Sequence, residues 1–129
     1  MSVTEQLARF AVETKSGFLT EAIVSSAKAK FLDTLATTIA GSRAPASRAS
    51  LATARELGGV PQATVIGWGD RTSMPLAGFV NGVSGHALEY DDITPGAGHV
   101  SVCLAPGCLA VAEHLDLSGR ALIEAFAVG

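Results

Sequence analysis

Between His86 and His99 the chain gathers two imidazoles, a phenol and several carboxylates: His86-Ala87-Leu88-Glu89-Tyr90-Asp91-Asp92, then Gly96-Ala97-Gly98-His99. A carboxylate and a histidine that face one substrate can divide proton removal from proton delivery, as elimination or decarboxylation next to a carboxylate requires. On a helix His86 would share a face with Glu89 and Tyr90, three and four residues further on. A glycine-containing loop would then let His99 fold back towards them. Plainer readings stand beside this one. His86 can interact with the negative end of its helix, and Asp91 and Asp92 can terminate that helix and cap the loop, the preferred reading for Asp91. For Glu89 and His99, spacing alone favours neither chemistry nor structure. His114 reads as structural, and Trp68, between glycines, as a packing anchor.

Helices must position these groups. Thr4 can cap a first helix with Leu7, Phe10, Ala11 and Val12 opposite Glu5, Arg9 and Glu13, stopping near Lys15-Ser16-Gly17. Thr20-Glu21 opens a second, with Ile23, Ala27, Phe31, Leu35 and Ile39 on one face and Gly41 as its C-terminal stop. A third helix spans Ser47 to Leu57, before Gly58-Gly59. Ala63-Thr64-Val65-Ile66 is β-prone and bounded by Pro61 and the turn-rich Gly67-Trp68-Gly69-Asp70. Ser73 or Thr72 caps a fourth helix, in which Leu76, Phe79, Val80, Val83 and Leu88 alternate with Ala77, Gly82, Ser84 and Gly85. Glycine in a helix costs about 1 kcal/mol relative to alanine, which points to close backbone contact or a nearby reacting group. A fifth helix, broken near Pro106, runs to His114, and Ser118 caps a sixth from Gly119 to Val128. The expected fold class is mainly α, a bundle-like domain over residues 1–129 with one short β segment near residues 63–66.

Composition narrows the function classes. Of the 129 residues 48% are hydrophobic and 16% charged, a balance that supports a folded core. Mean hydropathy is positive, yet no apolar run reaches the roughly 18 residues of a membrane span. The N-terminus lacks a secretory pattern, so a cytoplasmic location is expected. A net charge of −3 with scattered basic residues argues against nucleic acid. Cys103 and Cys108 fit neither a redox pair nor a zinc knuckle and are expected to be buried structural thiols.

Several ordered segments resemble the MmgE/PrpD family, which includes 2-methylcitrate dehydratase and cis-aconitate decarboxylase. They are Phe31-Leu32-Asp33-Thr34-Leu35, Ile39-Ala40-Gly41-Ser42, Ala63-Thr64-Val65-Ile66-Gly67, Asn81-Gly82 through His86-Ala87-Leu88-Glu89-Tyr90-Asp91-Asp92, and Ser118-Gly119-Arg120. The resemblance implies a helical domain, a separate α+β lid that this chain lacks, a homodimer, and chemistry without metal or other cofactor on small di- or tricarboxylates. By position Glu89 matches an active-site acidic residue and His99 the histidine that usually begins His-Pro-Ser. The expected catalytic residues are therefore Glu89 and His99, with Asp92 and His86 binding substrate. Val100-Ser101 follows His99 in place of Pro-Ser, and Ile93 stands where a threonine often occurs, a loss of one hydrogen bond of about 1 kcal/mol. Family members are several times longer, so this chain is expected to be an incomplete portion of such an enzyme. Two other readings compete: a metal-dependent hydrolase using His86, Glu89, Asp92 and His99, and a non-catalytic helical fragment that self-associates.

Overall fold

The computed structural model describes residues 1–14 and 18–129. Among them are α1 (Val3–Glu13), α2 (Glu21–Gly41), α3 (Pro45–Leu57), β1 (Ala63–Thr64), β2 (Arg71–Thr72), α4 (Met74–His86), α5 (Val100–His114) and α6 (Gly119–Val128). The fold is mainly α, with β1 and β2 forming a small antiparallel ribbon that pairs Ala63 with Thr72 and Thr64 with Arg71. No helix is long and apolar enough to cross a membrane, among the described residues.

Helix α1 is capped by Ser2 rather than Thr4. The Ser2 hydroxyl accepts from the Glu5 amide at 3.2 Å while the Glu5 carboxylate accepts from the Ser2 amide at 2.6 Å. Two free donors are satisfied reciprocally only when the acid sits three residues after the cap, which selects Ser2 over Thr4. Helix α1 buries none of its residues. Its expected stop at Lys15-Ser16-Gly17 lies outside the described residues. Thr20 caps α2 as expected, accepting from the Ile23 amide at 3.3 Å.

The buried stripe of α2 runs Ala27, Phe31, Thr34, Thr38 and Gly41, in alternating steps of four and three. Ile39, expected on that face, is 60% exposed. It stands one residue, about 100° of helix, past the buried Thr38. The threonines enter the core because their hydroxyls donate internally, Thr34 to the Lys30 carbonyl at 3.0 Å and Thr38 to the Thr34 carbonyl at 2.7 Å. Phe31 meets Phe126 of α6 edge to face at 5.3 Å between ring centroids. A second apolar cluster joins Leu51, Ala54, Val65 and Val80 under Trp68.

Helix α4 turns its small side inward. Ala77, Val80, Asn81, Ser84 and Gly85 are buried, while Phe79, one of the large apolar residues of this helix, points out. The reason is proximity. A Cβ on Gly41 would stand 2.1 Å from the Ser84 carbonyl oxygen, and one on Gly85 2.7 Å from Val102 Cγ2 and 3.0 Å from Thr38 Oγ1. Helix α2 stops at Gly41, as expected, and the same glycine is a close-packing residue against α4. Helix α5 continues through Pro106 without the expected break. Proline removes the donor that the Val102 carbonyl would otherwise receive, and that oxygen lies across from Gly82, 3.8 Å from where a Cβ would be.

Buried Asn81 ties the ribbon to α4. Its side-chain oxygen accepts from the Ile66 amide and its NH2 donates to the Thr64 carbonyl, both at 2.9 Å, so one amide supplies the pairing of an absent neighbouring strand. Glu113 of α5 accepts from the Thr64 amide at 2.8 Å and hydroxyl at 2.6 Å.

Adding a methyl group at residue 41 must push α2 from α4. Gly41→Ala is expected to destabilise the chain by about 1–3 kcal/mol, measured by urea unfolding. Gly107→Ala, where a Cβ meets nothing within 4 Å, is expected to be neutral or to stabilise by up to about 1 kcal/mol. Equal midpoints for the two variants would contradict the packing account.

Candidate active site

Helix α4 ends at His86, and Glu89 and Tyr90 lie beyond it. The Glu89 amide donates to the His86 carbonyl at 3.0 Å, closing a turn in which Glu89 takes a positive φ of 52°. His86, Glu89 and Tyr90 therefore do not share a helical face as expected. The chain reverses at a tight loop in which the Thr94 amide donates to the Gly98 carbonyl, and the Ala97 and Gly98 amides donate to the Thr94 carbonyl. Gly96 and Gly98 both adopt φ of 80°, a conformation that side chains oppose. The reversal leaves His99 as the residue that opens α5.

This arrangement packs the two imidazoles together. The His86 and His99 rings are 4.6 Å apart between centroids, at an interplanar angle of 67°. Asp91 lies between their Nδ1 edges. Its Oδ1 is 3.0 Å from His86 Nδ1, and its Oδ2 is 3.0 Å from His99 Nδ1. The first contact is a hydrogen bond, whereas the His99 nitrogen is buried and not aligned for one. The Asp91 side chain is only 1% exposed, against 48% for His86 and 31% for His99. A buried carboxylate is therefore held by two rings that remain open to solvent along their other edges. Asp91 was read as a loop cap; its carboxylate instead serves the imidazoles, because the turn at Ala87 and Leu88 directs it inward.

Asp92 faces a different set of partners. Its Oδ2 accepts from Lys30 Nζ of α2 at 2.6 Å and from the Ser101 hydroxyl at 2.9 Å, while its Oδ1 is buried with no partner among the described residues. Burial pushes this carboxyl up, but the hydrogen bonds from Lys30 and Ser101 outweigh it and leave Asp92 below its ordinary value. Lys30 was missed from the sequence, since nothing local connects it to a residue 62 positions away. Glu89 is exposed and makes no side-chain hydrogen bond or ion pair among the described residues.

Among the described residues, His86, Asp91 and His99 are the group whose donor atoms lie close enough to hold a metal ion, all within 4.8 Å of one another. Two imidazoles and a carboxylate are a competent set for a divalent transition metal. It differs from the set read from the sequence, because Glu89 and Asp92 are not in it. Cys103, expected to be buried, is exposed, and its thiol donates to the His99 carbonyl at 3.2 Å; it stands one turn after His99 on the outward side of α5. Cys108 is half-buried, and burial pushes its thiol up. Trp68 packs on the Leu51–Val80 cluster, donates to the Ser42 carbonyl at 3.0 Å, and lies under the Arg43 guanidinium. A cleft of about 390 Å³ beside Lys30 and Ser101 is walled by Ile23, Ala27, Leu104 and Phe126. A larger cavity, about 630 Å³ between α2 and α6, includes none of the site residues.

Fold and site together define a helical domain that presents an imidazole–carboxylate cluster at a helix end. The MmgE/PrpD N-terminal domain model matches residues 5–129, and the chain belongs to that family. It is 32% identical over 133 residues to cis-aconitate decarboxylase of Homo sapiens, an alignment covering 99% of this chain and 28% of that protein. The Mus musculus cis-aconitate decarboxylase is likewise 32% identical, with 99% and 27% covered. The chain thus spans less than a third of the length of these relatives.

The Lys30–Asp92 pair gives a signed test. Because Asp92 is held below its ordinary value of 3.8, the pair's stabilisation is present above that pH and is lost as pH falls through the folded value. In Lys30→Met, burial without the cation raises the carboxyl, so the penalty is greatest near neutrality and is relieved on acidification. The urea midpoint of Lys30→Met is expected to fall below wild type at neutral pH, with the gap narrowing towards the ordinary carboxylate value. A gap that widens on acidification would contradict the pairing.

Proposed function

We propose that this chain contributes the proton-transfer part of a lyase active site acting on small di- or tricarboxylates. The observation that carries the reading is the buried Asp91 carboxylate set between two solvent-open imidazoles. The cis-aconitate decarboxylase relatives support it by naming a lyase reaction on a tricarboxylate. In a dehydration, a base takes the proton from the carbon next to a carboxylate, and an acid protonates the departing hydroxyl. In a decarboxylation, the electrons left by carbon dioxide are captured by a proton from the same acid. His99 and Glu89 take these acid and base roles, and His86 lines the substrate. Asp92 acts there through Lys30, whose ammonium it holds as a partner for an anionic group. The apolar side chains of Leu32, Ile39, Phe79 and Ile93 are exposed and support a homodimer, or contact with further chain such as a lid, covering this domain in the working enzyme.

Removing one acid–base group is expected to cost about 10²–10⁴ in turnover. In the enzyme that contains this chain, Glu89→Gln and His99→Ala should each lower release of carbon dioxide from cis-aconitate, or of water from 2-methylcitrate, by that factor. Retention of full turnover by both variants would remove the site assignment.

A further inference from the structure

We propose that Asp91 is a positioning residue that fixes both His86 and His99 with the proton on Nδ1, so that Nε2 of His99 is the atom that exchanges a proton with substrate and Nε2 of His86 accepts a hydrogen bond from it. The catalytic half of this inference rests on the lyase reading above; the tautomer half does not. An ionised carboxylate only accepts hydrogen bonds, and Asp91 has one oxygen 3.0 Å from the Nδ1 of each ring. Its side chain is almost wholly buried, where an unpaired carboxylate is costly, and no other side chain donates to it among the described residues. His86 turns its N–H towards it in a hydrogen bond, and His99 presents Nδ1 to its other oxygen at the same distance. Which nitrogen of a histidine carries the proton is set by the bond its other nitrogen makes.

The His99 contact is short but misaligned, and such bonds commonly tighten when a site is filled. With Nδ1 protonated, each neutral ring keeps its lone pair on Nε2. A proton taken from substrate lands there, the ring becomes an imidazolium, and the adjacent Asp91 charge compensates it. Returning the proton restores the starting state, so no other reactant is consumed. The neighbouring rings give the site two such atoms side by side, one to exchange the proton and one to receive a hydrogen bond from substrate.

Long-range proton–nitrogen correlation NMR on the nitrogen-labelled chain reads the tautomers directly, with His114 as an internal reference. His86 and His99 are expected to show protonated Nδ1 and unprotonated Nε2. In Asp91→Asn the side chain offers one acceptor oxygen and one donor NH2, so at least one ring should invert to the Nε2-protonated form while the His114 signal stays in place. In the active enzyme, Asp91→Asn should reduce kcat by about 10² or more with little change in KM, and Asp91→Glu, which keeps two acceptor oxygens, should recover part of the loss. Two results would overturn the proposal: both rings Nε2-protonated in the wild-type chain, or stoichiometric zinc uptake that depends on Asp91, since a metal would occupy the Nδ1 lone pairs. Correct tautomers in an enzyme without lyase turnover would instead sink the proposed reaction and leave the positioning role of Asp91 standing.

Discussion

Everything near the site depends on how closely α4 approaches its neighbours. At Gly41 the backbones of α2 and α4 meet, and at Gly85 the side chains of Thr38 and Val102 close on α4, in both places where a methyl group would collide. That approach sets Lys30 of α2 beside Asp92, and aligns the end of α4 with the start of α5 so that His86 and His99 touch. Larger residues at these positions would still permit helices, but separated ones, with the functional groups spread over different surfaces. Precision here comes from absent side chains, consistent with the dense packing of protein interiors.

Close approach leaves little room for apolar bulk, and polar groups fill the gaps with their bonds satisfied. Thr34 and Thr38 donate within their own helix, and Asn81 stands in for a strand. Two adjacent carboxylates then split the local electrostatics. Asp91 serves the imidazoles, while Asp92 faces α2 and its lysine. Neighbours in sequence thus support different parts of one site because the turn after His86 directs them to opposite sides.

Much of this architecture was legible in the residues. Thr20, Ser118 and the glycines after Ala40 and Leu57 placed α2, α3 and α6 closely, since caps and stops are local signals. The convergence of His86 with His99 followed from the glycines of the intervening loop. What escaped were features set by distant partners. Lys30 carries no local sign of Asp92. The glycines of α4 announced a close contact, which Gly85 makes, but the side of the helix that faces inward is set by its partners on α2 and α5. Glu89 was assigned to the helix because nothing in Ala87-Leu88 announces a stop. The helix ends there through tertiary geometry, not through a glycine cap. Asp91 was read as a cap for the same reason, since only the folded turn shows that its oxygens face two rings.

Glu89 occupies a left-handed backbone state that glycine would adopt freely and that costs other residues about 1–2 kcal/mol. Its carboxylate makes no compensating contact within the described chain. A chain optimised for thermal endurance alone would therefore carry glycine there. Keeping an acid at that position sets durability against the acid–base role proposed for Glu89, so stability screens applied to this protein would tend to select against that carboxylate.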